Sequence, residues 1–191
     1  MKNSGAYYPN ERTGDLKGGG MGLIHVYYGQ GVGKTSRAIG LAVRAAGEGL
    51  KVVYVQFLKS GTSGEVKSFS KIGNIEYRCP GEHPFILSNG PQNIHIEHAN
   101  KAFAYALEAV EDKPAPDLLI CDEILDTIIF GLLKEEQLLD LATKCKGNVE
   151  LVMTGRKPPK EIMNLADYAT EFVHIKHPYY SGGRARKGIE Y

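Results

Sequence analysis

LIHVYYGQGVGKT, residues 23–35, reads as a strand that runs directly into a glycine-rich turn and then into a helix. Leu23 to Tyr28 is rich in β-branched and aromatic side chains. Gly29, Gly31 and Gly33 allow the backbone to curl with successive N–H groups turned inward around an anion, and a helix beginning near Thr35 adds the positive end of its dipole. That is the context a phosphate-binding loop requires. One letter departs from the usual G-x-x-x-x-G-K-[ST], because Tyr28 stands where the first glycine is expected. Lys34 supplies a point charge to the outer phosphates, and the Thr35 hydroxyl is placed to ligate Mg²⁺.

Working outward, strand-like and helix-like patterns alternate. A helix over 35–46 is stopped by Gly47 and Gly49, and a strand over 52–57 completes a βαβ unit. A short helix over 65–72 and a short strand over 75–78 follow. Ile96, Ala99, Phe103, Ala106, Leu107 and Val110 share one face of a long helix over 92–111, which Pro114 and Pro116 end. The unbroken apolar run over 118–122 fits a strand buried on both faces of a parallel sheet. A helix over 135–146, a strand over 149–153, a helix over 159–166 with proline in its first turn and a last strand over 171–175 complete the pattern. The expectation is a single α/β domain over 21–191 of the P-loop, RecA-like kind, an open and mostly parallel sheet with helices on both faces. Ligands of such sheets sit at the carboxyl ends of the strands. Residues 1–20, with Gly5, Pro9, Gly14 and Gly18 to Gly20, hold too few apolar groups to offset the entropy of ordering and are expected to form a flexible arm.

A chain of 191 residues with 42% hydrophobic content can bury one good core. Lys and Arg number 23 against 22 acids, for a net charge of +1, so no global field draws the protein to nucleic acid or an anionic membrane. Three scattered cysteines, Cys79, Cys121 and Cys145, argue against a disulfide framework and fit a reducing cytoplasm. Lys2 is followed by no apolar leader, and no run nears the roughly 18 apolar residues of a membrane span.

Asp122 and Glu123 close the buried 118–122 strand, the Walker B arrangement in which Asp122 holds the metal of a nucleotide site. The competing reading is that both acids merely cap the helix after them. Cys79, His83, His95 and His98 have ligand-like spacings, but no pair is diagnostic, and solvated histidines are the preferred reading. The tail 176–191, with Arg184, Arg186 and Lys187, reads from composition as a frayed basic end.

Six separated stretches then resemble one family, the P-loop type of ATP:corrinoid adenosyltransferase: GLIHVYYGQGVGKTSRAIGLAVRAAGEG, VVYVQFLKSGTSGE, LLICDEI, VMTGR, LADYATE and the closing KHPYYSGGRARKGIEY. They run in the family's order from Gly22 to Tyr191, and in that family too the first glycine of the loop is missing. The resemblance implies that ATP alkylates cobalt(I) of a reduced corrinoid through its ribose C5′, releasing tripolyphosphate. It also implies that Gly29, Gln30, Gly31, Val32, Gly33, Lys34, Thr35 and Ser36 bind the triphosphate, that Thr35 and Asp122 serve Mg²⁺, and that Glu123 lies beside the nucleotide. Gln56 and Lys59, and Thr154, Gly155 and Arg156, match family positions on the same rim. In the family the corrinoid lies over the nucleotide, an aromatic loop presses on its lower face, and the enzyme is usually a homodimer. A cobalt reductase is then a candidate partner.

Two departures accompany the resemblance. A short glycine-rich arm replaces the family's longer N-terminal segment, and the loop 80–92 lacks the tryptophan often found there. Phe85 is the aromatic side chain assigned to the corrin, against the plainer reading of a hydrophobe anchoring a loop. From the bare motif two rivals stand: another P-loop ATPase or phosphotransferase, with Glu123 positioning a water and orthophosphate as product, or a nucleotide-dependent switch without turnover. A thymidine-kinase-like enzyme would bring a four-cysteine zinc site, which three cysteines cannot build.

Overall fold

The strand β4 (Leu118–Asp122) exposes no side chain, because its alternate residues enter two different cores. Leu119 and Cys121 face one, Leu118 and Ile120 the other. The computed structural model, which describes residues 22–190, builds a six-stranded sheet around it. The other strands are β1 (Ile24–Tyr28), β2 (Val52–Gln56), β3 (Ile75–Arg78), β5 (Glu150–Gly155) and β6 (Tyr168–Glu171). Every pairing is parallel, in the order β3-β2-β4-β5-β1-β6, so the sheet expected to be mostly parallel is wholly so. The arm expected over 1–20 lies outside the described residues.

Helices cover both faces, as the two-sided burial of the strands demands. On one face α1 (Lys34–Gly47) turns Ala38, Ala42, Ala45 and Ala46 inward, and α2 (Gly64–Phe69) adds Phe69, against Tyr27, Tyr54, Ile120 and Val152. The alanine face lets the helix lie close to the sheet. On the other, α3 (Asn93–Glu111), α5 (Glu135–Cys145) and α6 (Lys160–Leu165) pack Phe103, Ala106, Leu138, Leu141 and Ile162 against Val26, Val55, Leu119 and Leu151. A wholly buried side chain such as Leu119 stabilises the fold by about 1.5–3 kcal/mol.

Two elements differ from expectation. The last strand is Tyr168–Glu171 rather than 171–175, and all four of its residues are exposed. Its place is set by backbone pairing with β1 at the sheet edge and by the Lys146–Asp167 ion pair of 2.5 Å before it, neither of which leaves an apolar pattern. A further helix, α4 (Ile124–Ile129), follows Glu123 directly; Ile124, Leu125, Asp126 and Thr127 are all buried, so no amphipathic period marks it. Among the described residues no helix is long and apolar enough to cross a membrane.

Strand order places the chemistry. The loop 29–33 leaves β1, Thr154 to Arg156 leave the adjacent β5, Asp122 and Glu123 end β4, and Lys59 follows β2. Neighbouring strands thus bring residues from four parts of the sequence to one carboxyl edge.

Candidate nucleotide site

Tyr28 needs no glycine in its place because it is still strand. It pairs with Gly155 and Glu171, and its ring packs against the larger core. The turn begins one residue later at Gly29, φ 109°, and closes at Gly33, φ 110°, the residue that caps α1. Gly31 is glycine for a different reason. A Cβ there would lie 2.6 Å from the carbonyl carbon of Phe172, because the segment after β6 presses against the loop. Of the three N–H groups expected to face an anion, that of Gly29 donates to the Arg156 carbonyl (3.1 Å) and that of Gly31 to the Phe172 carbonyl (2.7 Å). The third, that of Gly33, makes no backbone bond among the described residues and is left for a ligand with the N–H groups of the first turn of α1, which have no acceptor within the helix.

Lys34 folds back over the loop, its ammonium donating to the carbonyls of Gly29 (2.7 Å) and Gly31 (2.8 Å). Burial holds its pKa below the ordinary value, with Asp126, Glu123 and Asp122 opposing and Arg156 reinforcing that shift. Gln30, Val32 and Ser36 are exposed on the outer side of the loop and helix.

Asp122 is the hub. Its Oδ1 accepts from the hydroxyls of Thr154 (2.7 Å) and Thr35 (3.1 Å), and its Oδ2 from the Lys59 ammonium at 2.8 Å. Burial alone would raise its pKa, but the Lys59 charge and the bonds from Lys59, Thr154 and Thr35 outweigh it, and the carboxyl lies below its ordinary value. Gln56, expected on the rim, is instead wholly buried behind Asp122: its amide donates to Glu65 (3.2 Å) and Asp122 (3.5 Å) and accepts from the Tyr77 hydroxyl (2.6 Å). It braces the carboxylate.

Lys59 also donates to the Thr35 hydroxyl (3.2 Å) and lies 3.4 Å from Glu123. An ammonium is thus held by three oxygens, from Thr35, Asp122 and Glu123, of the hard type that suits Mg²⁺. Among the described residues no group of three or more His, Cys, Asp or Glu could hold a metal. Burial pushes the Glu123 carboxyl up to about 7 while Lys59 opposes, and Asp122 and Asp126 add repulsion. The only non-glycine residues with positive φ among those described are Glu123 (65°) and Leu58 (52°), each next in sequence to a member of this cluster. Such backbone strain gathers where structure over-determines a site.

Thr154 is buried and joins the strands by accepting from the Glu123 N–H (2.8 Å) while donating to Asp122. Gly155 lies so close to α4 that a Cβ would meet Leu125 Cβ at 2.6 Å. Arg156 is half exposed, its guanidinium 5.1 Å from the Phe130 ring centroid and its Nε 3.4 Å from Asp126. Phe85, 91% exposed, projects from the loop 80–92, which is tied back to the site where Ser60 and His83 exchange 3.2 Å bonds.

Of the histidines expected to be solvated, His95 is buried and His83 and His98 are half-buried. His95 is buried and caps α3, its Nδ1 accepting from Gln92 N–H at 2.7 Å and its Nε2 facing the Pro84 carbonyl at 3.2 Å. The rings of His83 and His98 pack within 5.7 Å of one another. Nor is the tail simply frayed, since Pro178–Ser181 forms a 3₁₀ turn and Arg186 pairs with Glu190 at 2.9 Å. Asp126, Tyr77, Glu65 and Phe172 touch members of this cluster through contacts that sequence did not expose. A lone acid inside an apolar run, as in ILDTII, is the one legible signal among them, because burying it demands a partner.

A family model described as ATP:corrinoid adenosyltransferase BtuR/CobO/CobP matches residues 20–191. The chain is similar to the corrinoid adenosyltransferase of Pseudomonas aeruginosa, 31% identical over 172 residues that cover 89% of this chain and 84% of that one. It is also similar to corrinoid adenosyltransferase CobA of Salmonella typhimurium and to the corrinoid adenosyltransferase of Escherichia coli, each 27% identical over 170 residues covering 89% of this chain and 86% of theirs. With the phosphate loop and the Asp122 hub assembled on one sheet edge, and with that match over nearly its whole length, the chain belongs to the ATP:corrinoid adenosyltransferase family and is a transferase.

Proposed function

We propose that the triphosphate of ATP lies in the cup between residues 29–36 and Asp122, and that Co(I) of a reduced corrinoid attacks the ribose C5′. The Co–C bond forms as the C5′–O bond breaks, and the electron pair leaves with tripolyphosphate. The observation that carries this reading is the Lys59 ammonium seated among the oxygens of Thr35, Asp122 and Glu123, a cation place beside a phosphate loop.

Charge grows on the departing triphosphate, so donors gathered on it favour the transition state over the bound substrate. Lys34 turns from the Gly29 and Gly31 carbonyls to the phosphates, the first-turn N–H groups of α1 align on the same anion, and Arg156 closes on it from β5. Thr35 and Asp122, with Glu123 near them, would hold Mg²⁺, which when bound would neutralise phosphate charge. No protein nucleophile is needed, because the cobalt supplies the electron pair. The chain's task is to orient the two substrates and to exclude water that would divert ATP to hydrolysis. Phe85, exposed at the tip of its loop, meets the face of the corrin. A homodimer in the cytoplasm, served by a cobalt reductase, completes the reading.

Phosphorus NMR of the products with ATP, Mg²⁺ and reduced cobalamin tests it. One tripolyphosphate per adenosylated corrinoid is expected, and Lys34→Ala should abolish it. Steady orthophosphate release without tripolyphosphate would identify an ATPase instead.

A further inference from the structure

Asp122 and Asp126 are the buried carboxylates among the described residues, and only Asp122 has a part in the transfer proposed above. Asp126 is 7% exposed, and both of its oxygens face Arg156. Oδ1 accepts the Arg156 backbone N–H at 2.7 Å, and Oδ2 lies 3.4 Å from Nε. Phe130, one helical turn further on, lies beneath the guanidinium, 5.1 Å from ring centroid to Cζ. The turn that carries Arg156 is pressed onto α4, since a Cβ on Gly155 would come within 3.1 Å of Asp126 Oδ1. The Arg156 carbonyl in turn accepts the Gly29 N–H at 3.1 Å, so the same residue is stitched to the phosphate loop.

A buried acid this close to an anion site would by charge alone oppose anion binding. Its geometry argues for the reverse effect. An arginine loses several rotatable bonds' worth of freedom when it closes on a phosphate, and a carboxylate that already fixes its backbone and Nε, over an aromatic shelf, removes most of that loss in advance. We infer that Asp126 is a positioning residue for the adenosyl transfer: together with Phe130 it holds the Arg156 guanidinium on the rim beside the loop 29–36, ready for the triphosphate. The inference rests on the reading of Arg156 as a triphosphate-binding residue. Nε and the main chain face Asp126, leaving the terminal nitrogens of the guanidinium for phosphate oxygens.

The test is a double-mutant cycle read by calorimetric titration with inorganic tripolyphosphate, on wild type, Asp126→Ala, Arg156→Ala and the double variant. Arg156→Ala should weaken binding about tenfold and Asp126→Ala about fivefold, while in the Arg156→Ala background the Asp126 change should add less than about twofold. Asp126→Asn, which keeps an oxygen for the Arg156 N–H, should fall between wild type and Asp126→Ala, and it carries the same comparison if Asp126→Ala does not fold. Tighter binding by either Asp126 variant overturns the inference, as does an equal loss with and without Arg156, or an Arg156→Ala that binds as wild type does. The functional reading fails separately: a wild type that forms no adenosylated corrinoid would remove the reaction, while the coupling measured with tripolyphosphate would still stand.

Discussion

The Lys59 ammonium lies 2.8 Å from Asp122 Oδ2, on a carboxylate with no exposure to solvent. A buried charge left without its partner is strongly destabilising. Lys59→Met should therefore cost about 3 kcal/mol in metal-free protein, read from urea unfolding. Because Lys59 occupies the oxygens assigned to Mg²⁺, the variant should regain more stability from added Mg²⁺ than wild type does. Equal gains in the two proteins would remove the competition between Lys59 and the metal.

Gly31 has an ordinary φ, so alanine there is opposed by contact rather than by dihedral strain. Its Cβ would lie 2.6 Å from Phe172 C and 2.7 Å from Val173 N, both backbone. Gly31→Ala should cost about 1–3 kcal/mol and weaken ATP binding as the loop shifts. Gly47→Ala, in open space at the end of α1, should be neutral or slightly stabilising. Thermal melts of the pair measure the contrast, and a harmless Gly31→Ala would contradict the close packing of the segment after β6 on the loop.

Glu150 ties β5 to β1, with Oε1 at 2.5 Å from His25 Nε2 and Oε2 accepting the Leu23 N–H at 3.0 Å. Burial would raise its pKa, but the bonds from His25 and Leu23 prevail and hold it below the ordinary 4.5. A carboxyl depressed in the folded state stabilises above its unfolded pKa and loses that contribution as pH falls through the folded one. Wild type should be more stable than Glu150→Gln at pH 7, and the gap should close in the acid range below 4.5. A gap that persists unchanged to low pH would show that the charge is not what stabilises.

Phe85 is 91% exposed, so its removal should leave stability and ATP affinity within about twofold of wild type. Formation of the Co–C bond should slow by at least about tenfold if the ring meets the corrin. Single-turnover kinetics separate the two effects, and normal turnover by Phe85→Ala would assign the corrin face to other residues.

The legible parts of this fold were those written in side chains. The strand–turn–helix from Leu23 to Lys34 and the apolar β4 announce themselves, because each is fixed by its own residues or by burial on both faces. Edge strand β6 does not, since Tyr168–Glu171 is exposed and is placed by backbone pairing, while the more β-like 172–175 lies beyond the sheet. Helix α4 is hidden by complete burial of Ile124 to Thr127. Within the site, Lys34, Thr35, Asp122, Thr154 and Lys59 converge from four strands, as motif positions suggested. The distances between them, the withdrawal of Gln56 behind Asp122 and the grip of Asp126 on Arg156 depend on strand order, which no local pattern encodes.

The central claim, that ATP is an alkylating agent here, is met most directly by anaerobic incubation with ATP, Mg²⁺ and chemically reduced cobalamin while the visible spectrum is followed. A light-sensitive adenosylated corrinoid should form, with tripolyphosphate in equal amount. An unchanged corrinoid spectrum alongside steady orthophosphate release would contradict the claim.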